Sequence, residues 1–167
     1  MKNIKIEDII PVLYKFYNKD LCDFEENNNR TKEQKQFLVH TESFYNKNYS
    51  KWLDFMNYVA EKYEYTFWDT TSYNRQSFSG YFFSEKQVVN FIMISSLLNV
   101  YYIDSFLNND FFLSEISRKM KKILPMYIIM NKEDFNQDLK PYFKFYSGID
   151  FVNFNLHEAL FGTKPTL

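Results

Sequence analysis

Hydrophobic positions recur at helical spacing in the first third of the chain. Near the start, one helical face collects apolar residues: Ile6, Ile9, Ile10, Leu13 and Tyr17. Proline removes a backbone donor and is best tolerated in the first turn of a helix, so Pro11 either kinks this helix or marks its beginning. The spacing therefore predicts a first, short amphipathic helix.

Two more helices are predicted between residues 31 and 63. Thr31 and Gln34 have the spacing of a capping box, which opens a helix with inward-facing Phe37, Leu38, Thr41 and Phe44 or Tyr45. Ser50 can cap a separate third helix, whose apolar residues repeat at i, i+3, i+4 and i+7: Trp52, Phe55, Met56, Val59 and Tyr63.

A long apolar stretch occupies the middle of the chain. Residues 87–103 carry no charge, and Ser84-Glu85-Lys86-Gln87 has the pattern of a second capping box immediately before them. The stretch is therefore predicted to be a central buried helix. A further helix should begin at Asn109 or Asp110 and stop at Pro125, with inward-facing Phe112, Ile116, Met120 and Ile123.

Signals for β structure are fewer. Residues 126–130 form a short apolar run, and residues 143–146 and 149–154 alternate around Ser147-Gly148, which is typical of a hairpin. Residues 65–83 have no regular pattern. The sequence predicts one domain spanning residues 1–167, predominantly α-helical, of the α+β class with a small antiparallel sheet or hairpin near the C-terminus. The alternative is an all-α domain.

The apolar stretch and the start of the chain bear on location. Residues 87–103 fall short of the ~20 apolar residues that a bilayer requires, and four polar residues interrupt them: Asn90, Ser95, Ser96 and Asn99. Glu7 and Asp8 precede any long apolar core, so no signal peptide is expected. The lone Cys22 makes no intrachain disulfide, which favours a reducing compartment. We expect a cytoplasmic protein without a membrane segment.

Composition excludes several kinds of site. The three glycines are too few and too far apart for a phosphate-binding loop or a dinucleotide fingerprint, and one cysteine with two histidines cannot build a zinc ribbon or finger. No cofactor and no metal are therefore expected. Aromatic residues make up 21% of the chain. So many rings cannot all be buried in a small domain, and we expect some to form an exposed contact surface.

The two histidines are the natural candidates for catalysis. His157 and Glu158 begin like a zinc-protease helix, but Phe161 stands where the second histidine ligand is required. His40 has Glu42 two residues away, and residues with that spacing do not face each other on a helix. A dispersed site using His157 or His40 would make a small nuclease-like enzyme or hydrolase. This remains an alternative without a recognisable motif.

The polar loop after residue 68 is the first candidate binding segment. It contains one of the three arginines, Arg75, between the aromatic residues Trp68 and Phe78. Arginine and aromatic side chains are enriched where protein interfaces concentrate their binding energy. The residues proposed to contact a partner here are Trp68, Asp69, Tyr73 and Arg75.

The second candidate segment is acidic. Asp20, Asp23, Glu25 and Glu26 lie close together, although the chain as a whole carries a net charge of only −1. A segment of this kind would attract a basic protein and speed association. The basic run 118–122 is interpreted as the end of a helix, where cations complement the dipole. Because there is no wider basic stripe, nucleic-acid binding is not expected.

In size, composition and lack of catalytic motifs, the chain resembles bacterial immunity proteins, the antidotes made beside secreted or contact-delivered toxins. The resemblance implies a protein-binding inhibitor that neutralises a cognate toxin by covering its active or substrate-binding site. The partner would be a protein, such as a basic toxin domain. A phage or mobile-element accessory protein that binds a host factor is a further alternative. The sequence also leaves a homo-oligomer open.

Overall fold

The computed structural model describes residues 5–19, 31–71, 76–106, 110–130, 132–144 and 154–162. Within these ranges the helices are α1 (Ile6–Leu13), α2 (Lys32–Tyr63), α3 (Asp110–Ile123), α4 (Lys132–Phe135) and α5 (Leu156–Phe161). A 3-10 turn spans Lys140–Tyr142. The strands are β1 (Thr66–Asp69), β2 (Ser77–Ser84), β3 (Gln87–Ser95), β4 (Val100–Ser105) and β5 (Ile128–Ile129).

A mixed five-stranded sheet forms the centre of the molecule, in the order β1-β2-β3-β4-β5. The first four strands are antiparallel neighbours in chain order, and β5 joins β4 in parallel after the chain has passed through α3. The prediction of a predominantly helical domain is therefore wrong. The all-α alternative is wrong for the same reason.

The predicted central helix is instead a pair of strands, β3 and β4. Ser84-Glu85-Lys86-Gln87 does not cap a helix but makes the tight turn between β2 and β3. Glu85 and Lys86 both have positive φ, 49° and 69°, which is the conformation of a type I′ hairpin turn. Such turns usually contain glycine or asparagine, and neither occurs here. This turn therefore had no signal in the sequence.

The apolar stretch was predicted to be a helix because β3 and β4, which are covered on both faces, lack the alternation of a half-exposed strand. Of the nine residues of β3, the last seven are buried, and alternation between apolar and polar positions disappears. A short apolar run of this kind cannot be distinguished from a buried helix by its period. The polar residues that break the run at Ser95, Ser96 and Asn99 mark the turn between the two strands.

Helix α2 is one continuous helix where two were predicted. The capping box at its start is confirmed, since the Thr31 hydroxyl accepts from the Gln34 backbone N–H and the Gln34 side chain accepts from the Thr31 N–H. Ser50 lies in the middle of the helix. Trp52, which begins the predicted third helix, is buried as expected, whereas Leu38 is 36% exposed.

Of the other predicted elements, some are confirmed, one is wrong and one lies outside the described residues. The amphipathic helices α1 and α3 are confirmed, and Pro11 lies inside α1. The region 65–83 was predicted to be irregular, but its described residues include β1 and most of β2. Of the predicted C-terminal hairpin, residues 145–153 and its Ser147-Gly148 turn lie outside the described residues. Among the described ranges, no helix is both long and apolar enough to cross a bilayer.

Helices cover the two faces of the sheet. One face packs against α2 and α3, and its core includes Trp52, Phe55, Met56, Phe78, Phe82, Ile92, Tyr101, Phe112, Ile116 and Met120. The other face packs against α1, α5 and the segments that flank them, with Leu13, Tyr17, Tyr81, Phe91, Met93, Tyr102, Phe154 and Leu160 in its core. Alternate residues of each strand thus enter different cores.

Gly80 allows α2 to approach β2 closely. A Cβ at this position would lie 2.4 Å from the Met56 Cε atom, 3.1 Å from the Trp68 backbone oxygen and 3.3 Å from the Trp52 ring. The absence of a side chain at Gly80 therefore sets the distance between the long helix and the strands β1 and β2.

Candidate interaction edge of the sheet

The structure describes two of the eight residues predicted to bind a partner. Trp68 and Asp69 are the last two residues of β1. The other six lie outside the described residues: Asp20, Asp23, Glu25, Glu26, Tyr73 and Arg75. The structure therefore places Trp68 and Asp69 side by side on one strand, and the candidate site is built from that strand.

Strand β1 is an edge strand, with β2 on one side and no described strand on the other. Beyond its end, the Thr70 N–H donates to the Ser79 carbonyl at 2.8 Å, so Thr70 directs its backbone towards β2. In an antiparallel pair the hydrogen-bonded positions alternate, so Trp68 also faces β2. The N–H and C=O groups of Phe67 and Asp69 consequently point away from the sheet.

Trp68 ends a row of aromatic rings on the face of the sheet that carries α1 and α5. Its ring lies 6.4 Å from that of Tyr81, directly opposite on β2, and Tyr81 stacks on Phe91 of β3 at 4.2 Å. Tyr81 and Phe91 are buried, whereas Trp68 is 50% exposed. The row thus runs from the core outward and leaves a large, supported aromatic surface at the edge.

Asp69 fixes this edge to α2. Its carboxylate accepts a hydrogen bond from the Tyr49 hydroxyl at 2.7 Å and another from Trp52 Nε1 at 3.1 Å, and Thr71 donates to it through its backbone N–H. The hydrogen bond to Asp69 raises the pKa of Tyr49, which remains a neutral donor. Because the Asp69 carboxylate has these internal partners, Trp68 is the outward-facing member of the pair.

The described residues that flank positions 72–75, the stretch that includes Tyr73 and Arg75, are both held by hydrogen bonds. Gln76, just before β2, donates through Nε2 to the backbone oxygens of Glu158 and Ala159, at 2.9 and 2.7 Å. On the other side of residues 72–75, Thr71 donates its backbone N–H to the Asp69 carboxylate of β1. The described residues on both sides are therefore held by hydrogen bonds, one to β1 and the other to α5.

The two histidines occupy different settings. His40, on α2, donates Nε2–H to the Ser96 backbone oxygen at 2.7 Å, and its ring lies 4.9 Å from that of Phe16. His157 is buried at the start of α5 beside Phe161. These contacts of the two histidines share no residue, and none of them joins one imidazole ring to the other.

Within the described ranges, no group of three or more His, Cys, Asp or Glu side chains is arranged to hold a metal ion. The edge position of β1 is the feature of this candidate site that the sequence analysis did not predict. Thr66–Asp69 is a short segment of aromatic and β-branched character, TFWD, and that character is the signal that could have identified it as a strand.

Comparison with protein-family models, with curated proteins and with solved structures gave no match.

Proposed function

We propose that this protein is a protein-binding inhibitor of the immunity-protein kind, and that Trp68 on the edge strand β1 anchors its partner. The observation that carries the proposal is the half-exposed Trp68 ring, which Tyr81 supports from the core. Tryptophan is among the residues that dominate interface energetics, because a rigid ring removes a large area from water with little loss of conformational freedom.

The backbone of β1 supplies the second part of the proposed contact. The outward N–H and C=O groups of Phe67 and Asp69 can pair with an extended segment of the partner, which would add a strand to the sheet. The backbone bonds would give affinity, and the Trp68 side chain would select the residue packed against it. In this arrangement the inhibitor would cover a loop of the partner's active or substrate-binding site.

The acidic segment provides the proposed long-range attraction. Asp20, Asp23, Glu25 and Glu26 would draw a basic partner towards the protein, which raises the association rate most at low ionic strength. Reversing these four charges should slow association and flatten its salt dependence. If the rate is unchanged, the acidic segment does not steer the encounter.

The experiment uses the tagged protein in cells of its source, with co-purification at moderate salt. Trp68→Lys is the informative variant because lysine on an edge strand disfavours strand addition as well as removing the ring. Phe111→Lys is the matched control, since Phe111 is a 70% exposed aromatic residue on α3, on the other face of the sheet.

A single stoichiometric partner should be retained by the wild type and by Phe111→Lys, and lost by Trp68→Lys. In a purified pair, Trp68→Ala should weaken binding by about 2 kcal/mol or more, as for a hot-spot residue. The partner alone should be toxic, and co-expression of this protein should relieve the toxicity. Equal capture by both lysine variants would rule out the β1 edge, and a non-toxic partner would rule out the inhibitor function.

A further inference from the structure

A groove of about 430 Å³ lies on the face of the sheet that carries α2 and α3, away from Trp68. One wall is a stripe of α2 residues at helical spacing, and the other is the segment that follows α3. Phe44, Lys47 and Lys51 lie on the first wall, and Met126 and Tyr127 lie on the second.

The charged residues that line the groove are all basic. Lys47 and Lys51 are exposed and lie four residues apart, so they project from successive turns of one helical face. Like charges at this spacing destabilise a helix. Within the described ranges neither lysine has an ion pair, and no carboxylate lines the groove. An acidic ligand in the groove would reduce the repulsion between these two cations.

The rest of the groove is apolar or internally satisfied. Phe44 packs on Phe78 of the sheet at 4.9 Å, and Tyr127 is buried, with its hydroxyl donating to the Ser95 backbone oxygen. Burial raises the pKa of Tyr127, so this hydroxyl stays neutral. Met126, at the opposite rim from the lysines, is 75% exposed. The groove therefore combines a fixed floor with one flexible apolar side chain.

We infer that this groove binds an acidic segment of a partner protein, with carboxylates on Lys47 and Lys51 and an aliphatic or aromatic side chain between Phe44 and Met126. The positive charges of the two lysines favour acidic residues in the bound segment. The exposed methionine supplies an adaptable contact, as methionine does on many protein-binding surfaces. The surface is separate from the β1 edge, so the inference does not rest on the function proposed above.

A nucleic acid is the other anionic polymer that two lysines could attract. Nucleic-acid surfaces gain their affinity from many phosphate contacts along an extended basic track. Here the basic stripe of α2 is short: Asp54, at the next position of this face after Lys51, carries the opposite charge. A groove with an apolar rim and two adjacent lysines fits an acidic peptide better.

The test uses a displayed library of random 12-residue peptides, selected for binding to the purified full chain at low salt. The informative variant is Lys47→Glu with Lys51→Glu. Its control, Lys35→Glu with Lys86→Glu, changes the net charge equally but at exposed positions away from the groove. A single-stranded DNA oligonucleotide is measured beside the selected peptides.

We expect enrichment of acidic peptides with one or two apolar residues. The groove variant should weaken their binding more than about tenfold, because like charges placed together across an interface are strongly unfavourable. The control variant should change it less than threefold, and Trp68→Lys should leave it unchanged. Met126→Ser should weaken binding without altering the salt dependence.

Three results would overturn the inference. The first is a library that yields no binders, or binders without acidic residues. The second is peptides that bind the groove variant and the control variant equally well, which would place their site elsewhere. The third is an oligonucleotide that binds more tightly than the peptides and loses binding in the groove variant, which would make the surface a nucleic-acid site.

Discussion

The two faces of the sheet are covered by helices of very different length. On one face, α2 extends over 32 residues and lays Trp52, Phe55 and Met56 on the strands. On the other, α1 and α5 have only eight and six residues. Isolated helices of that length are marginal in water, so they depend on the contacts they make with the rest of the molecule.

The short helix α5 compensates with side-chain hydrogen bonds to its backbone. The last carbonyl groups of a helix have no partner within it. Here they accept from side chains elsewhere: Gln76 donates to Glu158 and Ala159, Ser95 to Leu160, and Ser77 to Phe161, while Tyr17 also donates to Ala159. Both faces thus have an apolar core, and on the α5 face four side chains add hydrogen bonds to the backbone of a short helix.

The largest effect is expected at the centre of the α2 face. Trp52→Ala removes a buried ring that lies 5.8 Å from Phe55 and 5.9 Å from Phe78, together with a hydrogen bond to Asp69. We expect the free energy of unfolding to fall by about 3–5 kcal/mol, measured by urea denaturation. Val39→Ala, at a 69% exposed position of the same helix, is the control. Equal losses in both variants would contradict the central role of Trp52.

The closeness of α2 and the sheet is tested at Gly80. Valine there would place atoms against Met56, Trp52 and the Trp68 backbone, and only the Met56 end group can move easily. Such overpacking should lower stability by about 1–3 kcal/mol. Gly80→Val combined with Met56→Ala should recover part of the loss. If the double variant is no more stable than expected from adding the single losses, Met56 is not what the new side chain displaces.

The hydrogen bonds of α5 should have a more local effect. Ser95→Ala leaves the buried Leu160 carbonyl unsatisfied and removes the acceptor of the Leu97 backbone N–H, which together should cost about 1–3 kcal/mol. Amide exchange should show that α5 opens more often while α2 remains protected. Ser79→Ala is the control, since Ser79 is also a buried serine but bonds to Thr70 instead. Loss of protection in α2 as well would mean that the two faces unfold together.

The two faces should also differ in their response to acid. Glu115 on α3 is buried between Lys62, Tyr63 and Arg118, and its hydrogen bonds to Lys62 and Tyr63 hold its pKa below the ordinary 4.5. The stability from this ionised group is present above about pH 4.5, and it is lost as pH falls through the lower pKa of the folded state. The Glu115→Gln variant lacks this contribution.

The difference in unfolding free energy between the wild type and Glu115→Gln should therefore shrink as pH is lowered below 4.5. The bonds to α5 come from neutral side chains, so the cost of Ser95→Ala should not change over the same range. A constant difference for Glu115→Gln would show that its ionisation does not stabilise the contact between α2 and α3.

The sequence identified those elements whose pattern follows from one face being buried. Helix α2 was located through its capping box at Thr31, and α3 through its apolar repeat and its end before Pro125. Strands β3 and β4 were not found, because burial on both faces removed their alternation. The turn at Glu85 and Lys86 was hidden because positive φ is unusual for both residues.

The candidate sites were only partly predictable. Trp68 stands out in the sequence as an aromatic residue beside a polar loop, but its exposure depends on β1 being the edge strand, which is a property of sheet order. The groove joins α2 residues to Met126 and Tyr127, about eighty positions later in the chain. The helical spacing of Lys47 and Lys51 could be read directly, whereas the opposite wall requires the fold.

The hydrogen bond from Tyr17 to Ala159 has a consequence for biosynthesis, because it joins residues 142 positions apart. At a translation rate of roughly 5–20 residues per second, Tyr17 is made about 7 to 28 seconds before its acceptor. The apolar residues of α1, among them Ile9 and Leu13, must wait for α5 during this interval. Nascent chains should therefore expose an apolar N-terminal segment to chaperones until residues 156–161 are free to pack against it.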